Sequence, residues 1–316
     1  MKKIFMYPLK LNNLYYDKIW GGRGFEKFRS NLTSVNIGES WDVSCYENGK
    51  SVIENGWLKG LTLEEAIKIY PVEIMGKNQK DEEFQLLLKI ISTEDKLSIQ
   101  VHPGDDYALK HEGSRGKTEV WYILDAGVGA NIIFGTKNCT KEEFKAALEE
   151  NNLDKYLNKV QVKKGQVYFI PRGLIHGIGA NCTILEVQQS SDLTYRVYDY
   201  DRGREIHVKK ALDVIDFSLQ GKAYEAKIKN ESQCGGANIQ FDYFKMEKFK
   251  VDKVLTQKTE SFLNILTCVE GNGKILYENG VIDIEYCESI VIPESLGSYE
   301  VHGNLEFIKT SPKIGN

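Results

Sequence analysis

Seven short runs mark the chain before residue 190: ESWDVSCY (39–46), QLLLKIIS (85–92), KLSIQVH (96–102), EVWYIL (119–124), GANIIFG (129–135), QVYFIP (166–171) and CTILEVQQ (182–189). Each is rich in Val, Ile, Tyr or Phe and is bounded by Gly, Asn or Asp, the pattern of strands joined by turns. Many short strands in sequence favour a sandwich or barrel over a parallel α/β sheet. Helical signals are few. TLEEAIKIY (62–70) and TKEEFKAALEENN (140–152) both open with Thr followed three residues later by Glu, a capping box. HVKKALDVIDF (207–217) is a third, shorter helical pattern. These predict helical insertions at about 60–78 and 140–157 on a mainly β framework.

With 316 residues the chain can bury a core unaided and is long enough for two domains. From 218 to 240 it turns polar, with Gly235 and Gly236 as punctuation, which places a boundary near 220–238. The expected division is 1–219 and 220–316. A weak internal repeat supports two similar halves. GQVYFIPRGLIHGIG (165–179) aligns with ESIVIPESLGSYEVH (288–302), and EVWYILDAGVGANIIFG (119–135) with SFLNILTCVEGNGKILYENG (261–280). Where the first copy has His176 and Glu119, the second has Ser298 and Ser261. Two β-barrels follow, of which only the first carries polar residues at those positions.

A net charge of −4 does not suit nucleic acid or an anionic membrane, and an anionic ligand would need its charge met locally. Cys45, Cys139, Cys182, Cys234, Cys268 and Cys287 are scattered and form no C-x-x-C pair. That fits reduced thiols in a cytosolic protein better than a disulfide framework or a thiolate metal site. The start, MKKIFMYPLK, lacks the apolar core of a signal peptide, and no apolar stretch is long enough for a membrane span. The expected location is the cytoplasm.

Gln100 and His102 stand two apart on one strand that Pro103 closes, so both face the same way, about 6.6 Å apart. Glu119 opens a later apolar strand, and His176 follows a strand, a Pro-Arg-Gly turn and a returning strand. Two imidazoles, one carboxylate and one amide oxygen make an N/O set. It fits Zn²⁺ best, with Fe²⁺, Mn²⁺ or Co²⁺ compatible by donor type. One carboxylate against a divalent ion leaves a charge near +1, suited to an anionic or oxyanion-forming substrate. A lone histidine is more often a satisfied core or surface residue, and His111, His207 and His302 are read that way. Lys117 shares the face of Glu119. Trp20, Trp41 and Trp121 read as core anchors.

These motifs resemble the cupin barrel and, within it, type I mannose-6-phosphate isomerase in its short bacterial form. The resemblance runs through IWGG (19–22), IGESWDVS (37–44), SIQVHP (98–103), GKTEVWYIL (116–124), IPRGLIHGIG (170–179) and SSDLTYRVYDYDR (190–202). The remainder resembles the family's metal-free C-terminal barrel. The resemblance implies two cupin-type jelly-roll barrels and one Zn²⁺ per chain. The ligands matching the family's are Gln100, His102, Glu119 and His176. It implies a catalytic role for Arg196 and substrate-binding roles for Lys117 and Arg202. Larger family members carry Lys at the position of Arg202, and Arg does not donate a proton at neutral pH. The implied reaction interconverts mannose 6-phosphate and fructose 6-phosphate through a metal-stabilised cis-enediol. Glu186, Asp192 and a metal-bound hydroxide are the candidates for the base, and Glu186 could instead hydrogen-bond a ligand histidine. The alternatives are a non-catalytic sugar-binding cupin, a cupin dioxygenase and a storage protein. Gln100 in place of a histidine argues against the dioxygenase, and storage gives no reason for the ligand set. A small sugar phosphate is the expected partner, and oligomeric state is not readable from these residues.

Overall fold

A computed structural model describes residues 4–30, 32–219, 221–225, 238–241 and 243–312. The chain divides into two compact units. One comprises Tyr15–Ser40 and Leu88–Glu225; the other comprises Met1–Leu14, Trp41–Leu87 and Ala226–Asn316. The single cut between 219 and 220 is therefore replaced by an interleaved division. Most of the expected boundary, residues 226–237, lies outside the described residues, as does Cys234.

Hydrogen bonds explain why early segments join the C-terminal unit. The Asn55 side chain donates to Pro8 O at 3.0 Å and accepts from Lys10 N at 2.9 Å. Leu9 and Lys10 in turn pair with Val291 and Ile290. Residues near 55 are thereby tied to the C-terminal strands. Helices α1 (Leu63–Ile69) and α2 (Pro71–Met75) belong to this unit. The insertion expected at about 60–78 thus sits with the C-terminal strands, not on the first barrel.

The first unit holds α3 (Asp105–Glu112), α4 (Lys141–Glu149) and α5 (Val208–Val214). Both expected capping boxes form. In α4, Thr140 Oγ1 accepts from Glu143 N at 3.1 Å, and Glu143 Oε2 accepts from Thr140 N at 2.8 Å. Thr140→Ala is expected to lower stability by about 1 kcal/mol, measured by urea denaturation. A shift under a few tenths would show that tertiary packing, not the cap, fixes this end. Helix α3 was not evident in the sequence pattern. It starts directly after the His-Pro-Gly turn, with Asp105 and Asp106 in its first turn and Lys110 and His111 in its last. Gly113, at φ 64°, ends it in the left-handed conformation.

Two sheets carry the strands of the first unit, and three of these strands, Leu14–Gly22, Ile37–Tyr46 and Leu86–Ser92, include residues assigned to the other unit. One follows the order Lys222–Glu225, Gln166–Ile170, Glu119–Ala126, Cys182–Gln189, Leu86–Ser92, Ile37–Tyr46, Leu14–Gly22. The other follows Tyr195–Tyr198, Ile99–Val101, His176–Ile178, Asn131–Thr136, Leu157–Gln161. Trp121, Ile123, Tyr168 and Ile170 of the first sheet pack on Ile132, Phe134 and Ile178 of the second, forming the barrel interior. Alternate residues of the second sheet, such as Ile99, Val101, Tyr195 and Val197, cluster instead with Phe144 of α4 and Ala211 of α5. The two helices cover that sheet's outer face.

The second unit's sheet runs Leu9–Lys10, Ser289–Ile292, Asn264–Tyr277, Ser298–Pro312, Phe244–Val251, Asn238–Gln240. Its interior is filled by side chains such as Phe249, Leu266, Ile275, Ile290, Val301 and Phe307. The repeat predicts a Gly-containing turn near 270. The structure has one continuous strand, Asn264–Tyr277, with a bulge between Cys268 and Glu270. Gly271 takes φ 70° there, and a Cβ would collide with the Asn304 carbonyl oxygen, so the chain bends without breaking the ladder.

Candidate metal centre

Cross-strand register assembles the site. His176 lies opposite Gln100, and Gln100 lies opposite Arg196, so the three side chains form one row on one face of the second sheet. Glu119 enters from the first sheet, opposite Ile170 and Gln188 on its two neighbours. His102, Glu119 and His176 are all buried, and each offers a donor atom within 4.8 Å of the others. No other such group of His, Cys, Asp and Glu occurs among the described residues.

The hydrogen bonds prepare both imidazoles as ligands. His102 Nδ1 is 2.9 Å from Leu193 O and His176 Nδ1 is 2.8 Å from Leu174 O. Carbonyls only accept, so each Nδ1 carries the proton and each Nε2 keeps its lone pair. Both Nε2 atoms point at Glu119, 3.5 Å from Oε2 and Oε1 respectively. Burial, followed by the charge of Lys117, pushes His102 down to about 3; burial lowers His176 as well. Both rings are therefore neutral near pH 7, as metal ligation requires. Glu119 resists its own burial and is held well below the usual carboxylate range by Lys117, then His102. Neither of its oxygens has a hydrogen-bond partner of good geometry. A buried carboxylate with unfilled acceptor capacity, facing two imidazole lone pairs, fits a divalent cation. Gln100 joins the group through its amide, 3.3 Å from His176 Nε2, while its Oε1 accepts from Ser98 Oγ at 3.2 Å. Exchanging the two amide atoms would turn its oxygen toward the imidazole.

Lys117 is the fifth member. Its ammonium lies 2.5 Å from Glu119 Oε2, 3.2 Å from His102 Nε2 and 3.8 Å from Glu186 Oε1. Burial opposes its charge, but Glu119 and Glu186 more than compensate and raise it. It therefore stands inside the cluster of His102, Glu119 and Glu186. Glu186 lies opposite Trp121 in the sheet and accepts from its indole Nε1 at 2.9 Å. Glu186 therefore bonds the tryptophan, not a ligand histidine; the Trp121 ring stands edge-on to His176 with centroids 5.5 Å apart. Burial and then the charge of Glu119 push Glu186 upward. Asp192 is exposed.

One part of the site escaped the sequence reading. Lys89 is buried 3.6 Å from Glu186 and 3.9 Å from Glu39, which pairs with Lys18 at 3.1 Å. Charges thus alternate from Glu119 through Lys117, Glu186, Lys89 and Glu39 to Lys18. Each buried charge meets its opposite, as burial demands. The signal was a single Lys inside LLLKIIS, a strand buried along its full length.

Arg196 is half-buried. Its Nη1 donates to Glu205 O at 2.6 Å, and its Nε is buried without a partner. Arg202 is not brought to the cluster. Its Nη1 donates to Lys96 O at 2.6 Å and its Nη2 pairs with the Asp95 carboxylate, at the turn preceding the Gln100 strand. These partners engage its guanidinium away from His102, Glu119 and His176. Trp20, Trp41 and Trp121 are buried, as expected of anchors. His111 stacks on Tyr107 and His302 pairs with Glu300.

Known proteins resemble this chain along most of its length. Residues 8–152 match the model of the phosphomannose isomerase type I catalytic domain, and residues 237–312 match that of the mannose-6-phosphate isomerase cupin domain. Mannose-6-phosphate isomerase of Streptococcus mutans is 36% identical over 95% of this chain and 97% of its own length. The chain belongs to the type I mannose-6-phosphate isomerase family. Mannose-6-phosphate isomerase ManA of Bacillus subtilis is 35% identical over 95% of this chain and 98% of its own length. The crystal structure of the mannose 6-phosphate isomerase from Bacillus subtilis superposes with a TM-score of 0.89 at 30% identity, covering 96% of this chain and 99% of the other. A putative mannosephosphate isomerase from Archaeoglobus fulgidus, at 19% identity and a TM-score of 0.81, shares the fold. The mainly β, cupin-type architecture expected of the family is thus present. The match to the catalytic-domain model ends before His176 and Arg196, so the roles of those two rest on the geometry above.

Proposed function

We propose that this chain interconverts mannose 6-phosphate and fructose 6-phosphate, with one Zn²⁺ held by Gln100, His102, Glu119 and His176. The observation that carries the metal assignment is the convergence of two neutral Nε2 lone pairs on the buried Glu119 carboxylate. A bound divalent cation supplies Lewis-acid stabilisation of the negative charge that develops on the sugar's C1 and C2 oxygens.

The protein's own groups do the rest. Lys117, beside Glu119 and His102, would donate hydrogen bonds to the reacting oxygens. Arg196, in register with Gln100, adds a cationic fork with an unfilled Nε donor. Glu186 is our candidate base for moving the proton between C1 and C2. Burial and the Glu119 charge raise its affinity for protons, which brings a carboxylate closer to the useful range. Trp121 fixes its orientation through the indole bond. Among the described residues no helix is long and apolar enough to cross a membrane, and we place the enzyme in the cytoplasm.

A coupled assay that reports fructose 6-phosphate tests this reading. Turnover of mannose 6-phosphate, lost on chelation and restored by Zn²⁺, is the expected result. Metal binding without turnover would favour a non-catalytic sugar-binding protein. Oxygen consumption by the iron-loaded protein would favour a dioxygenase.

A further inference from the structure

The strand Tyr195–Tyr198 is an edge strand, bonded within its sheet to Ile99–Val101 alone. It carries Arg196, and directly after it the chain makes an unusual turn. Tyr200 and Asp201 adopt φ 56° and 57°, both left-handed and neither glycine, before Gly203 at 76°. Such a conformation persists only where surrounding contacts enforce it.

Those contacts converge on the turn between the Leu86–Ser92 and Ile99–Val101 strands. Arg202 Nη1 donates to Lys96 O at 2.6 Å, and Nη2 pairs with Asp95. Asp95 is itself fixed, since its Oδ1 accepts from Lys96 N at 2.7 Å. The Tyr200 ring lies under Lys96 Nζ at 3.8 Å and beside the Arg202 guanidinium at 5.4 Å. Inside the turn, Arg202 N donates to Asp199 O at 3.2 Å, and Arg204 Nε donates to Asp199 Oδ2 at 2.8 Å. On the other side, Arg196 Nη1 reaches Glu205 O, and His207 N donates to Arg196 O at 2.7 Å. The segment that grips Arg196 is thus the same segment that Arg202 fastens down.

We infer that Arg202 is a positioning residue: with Asp95 and the Lys96 carbonyl it latches the 199–205 segment and so fixes the Arg196 guanidinium beside the site. The inference rests on Arg196 serving the proposed isomerisation. An exposed ion pair alone would hold little. Here Asp95 is 57% exposed but the Arg202 side chain only 16%, and a backbone carbonyl and an aromatic face share the load. The effect is accordingly moderate in size and shared by both partners.

Arg202→Ala, Asp95→Ala and the double variant test it, with Arg202→Lys as the conservative change. Hydrogen–deuterium exchange of the Arg196–Tyr198 amides needs no turnover. It should quicken about tenfold in either single variant and no further in the double, while Leu157–Gln161 at the opposite sheet edge stays unchanged. In the isomerase assay, kcat should fall about tenfold with KM for mannose 6-phosphate nearly constant, again without additivity. Arg202→Lys should recover part of both. Exchange in Asp95→Ala matching wild type would overturn the latch. So would a raised KM in Arg202→Ala with no effect of Asp95→Ala, since that pattern marks direct phosphate contact. A wild-type protein inert toward mannose 6-phosphate would defeat the isomerase reading, and the exchange experiment would still decide the latch.

Discussion

His176→Ala is expected to cost the protein its metal and its turnover together, with kcat/KM down by roughly a thousandfold or more. Lewis-acid stabilisation of an oxyanion is worth several kcal/mol, and about 4 kcal/mol corresponds to that factor. The residue is wholly buried, with Nδ1 donating to the Leu174 carbonyl and the Nε2 lone pair 3.5 Å from Glu119 Oε1. Alanine removes a donor and leaves Glu119 facing one imidazole instead of two. His176→Leu keeps more of the volume without any donor atom and separates loss of packing from loss of ligation. Metal content by elemental analysis and rate by coupled assay are to be measured on the same preparations. Zinc retained at one ion per chain in His176→Ala would remove His176 from the ligand set.

Arg196→Ala should show the complementary pattern, with metal retained and kcat lowered by about a hundredfold to a thousandfold. That range is typical for removing one preorganised donor to a developing oxyanion. Arg196 stands in register with Gln100, yet its guanidinium donates to the Glu205 carbonyl, not to His102, Glu119 or His176. Its loss therefore leaves the donor cluster as it is. A change confined to KM would assign Arg196 to ground-state binding of the phosphate.

The convergence of Gln100, His102 and His176 was legible because strand alternation is a rigid rule. Gln100 and His102 two apart, closed by Pro103, could point only to one face. His176 directly opposite Gln100 is what the returning strand after the Pro-Arg-Gly turn delivers. The helix starts were legible for a similar reason, since the Thr140 and Thr62 capping boxes are local hydrogen-bond chemistry. Lys89 was not legible. A lysine between Leu88 and Ile90 has two faces open to it, and only barrel closure, which brings Glu186 and Glu39 alongside, shows that it points inward. The division of the chain was hidden too. Asn55 binding Pro8 and Lys10 is a contact between residues more than 40 positions apart, and no local pattern announces it. The Arg202–Asp95 pair was not legible either, because nothing local in the motif shows that the turn at Asp95 comes alongside it.

Elemental analysis of purified wild-type protein during stepwise chelation, each sample assayed for conversion of mannose 6-phosphate, bears on the central claim most directly. One divalent ion per chain at the start, with rate falling in proportion to metal and returning on zinc addition, is the result predicted. Full turnover by protein stripped of metal would contradict it.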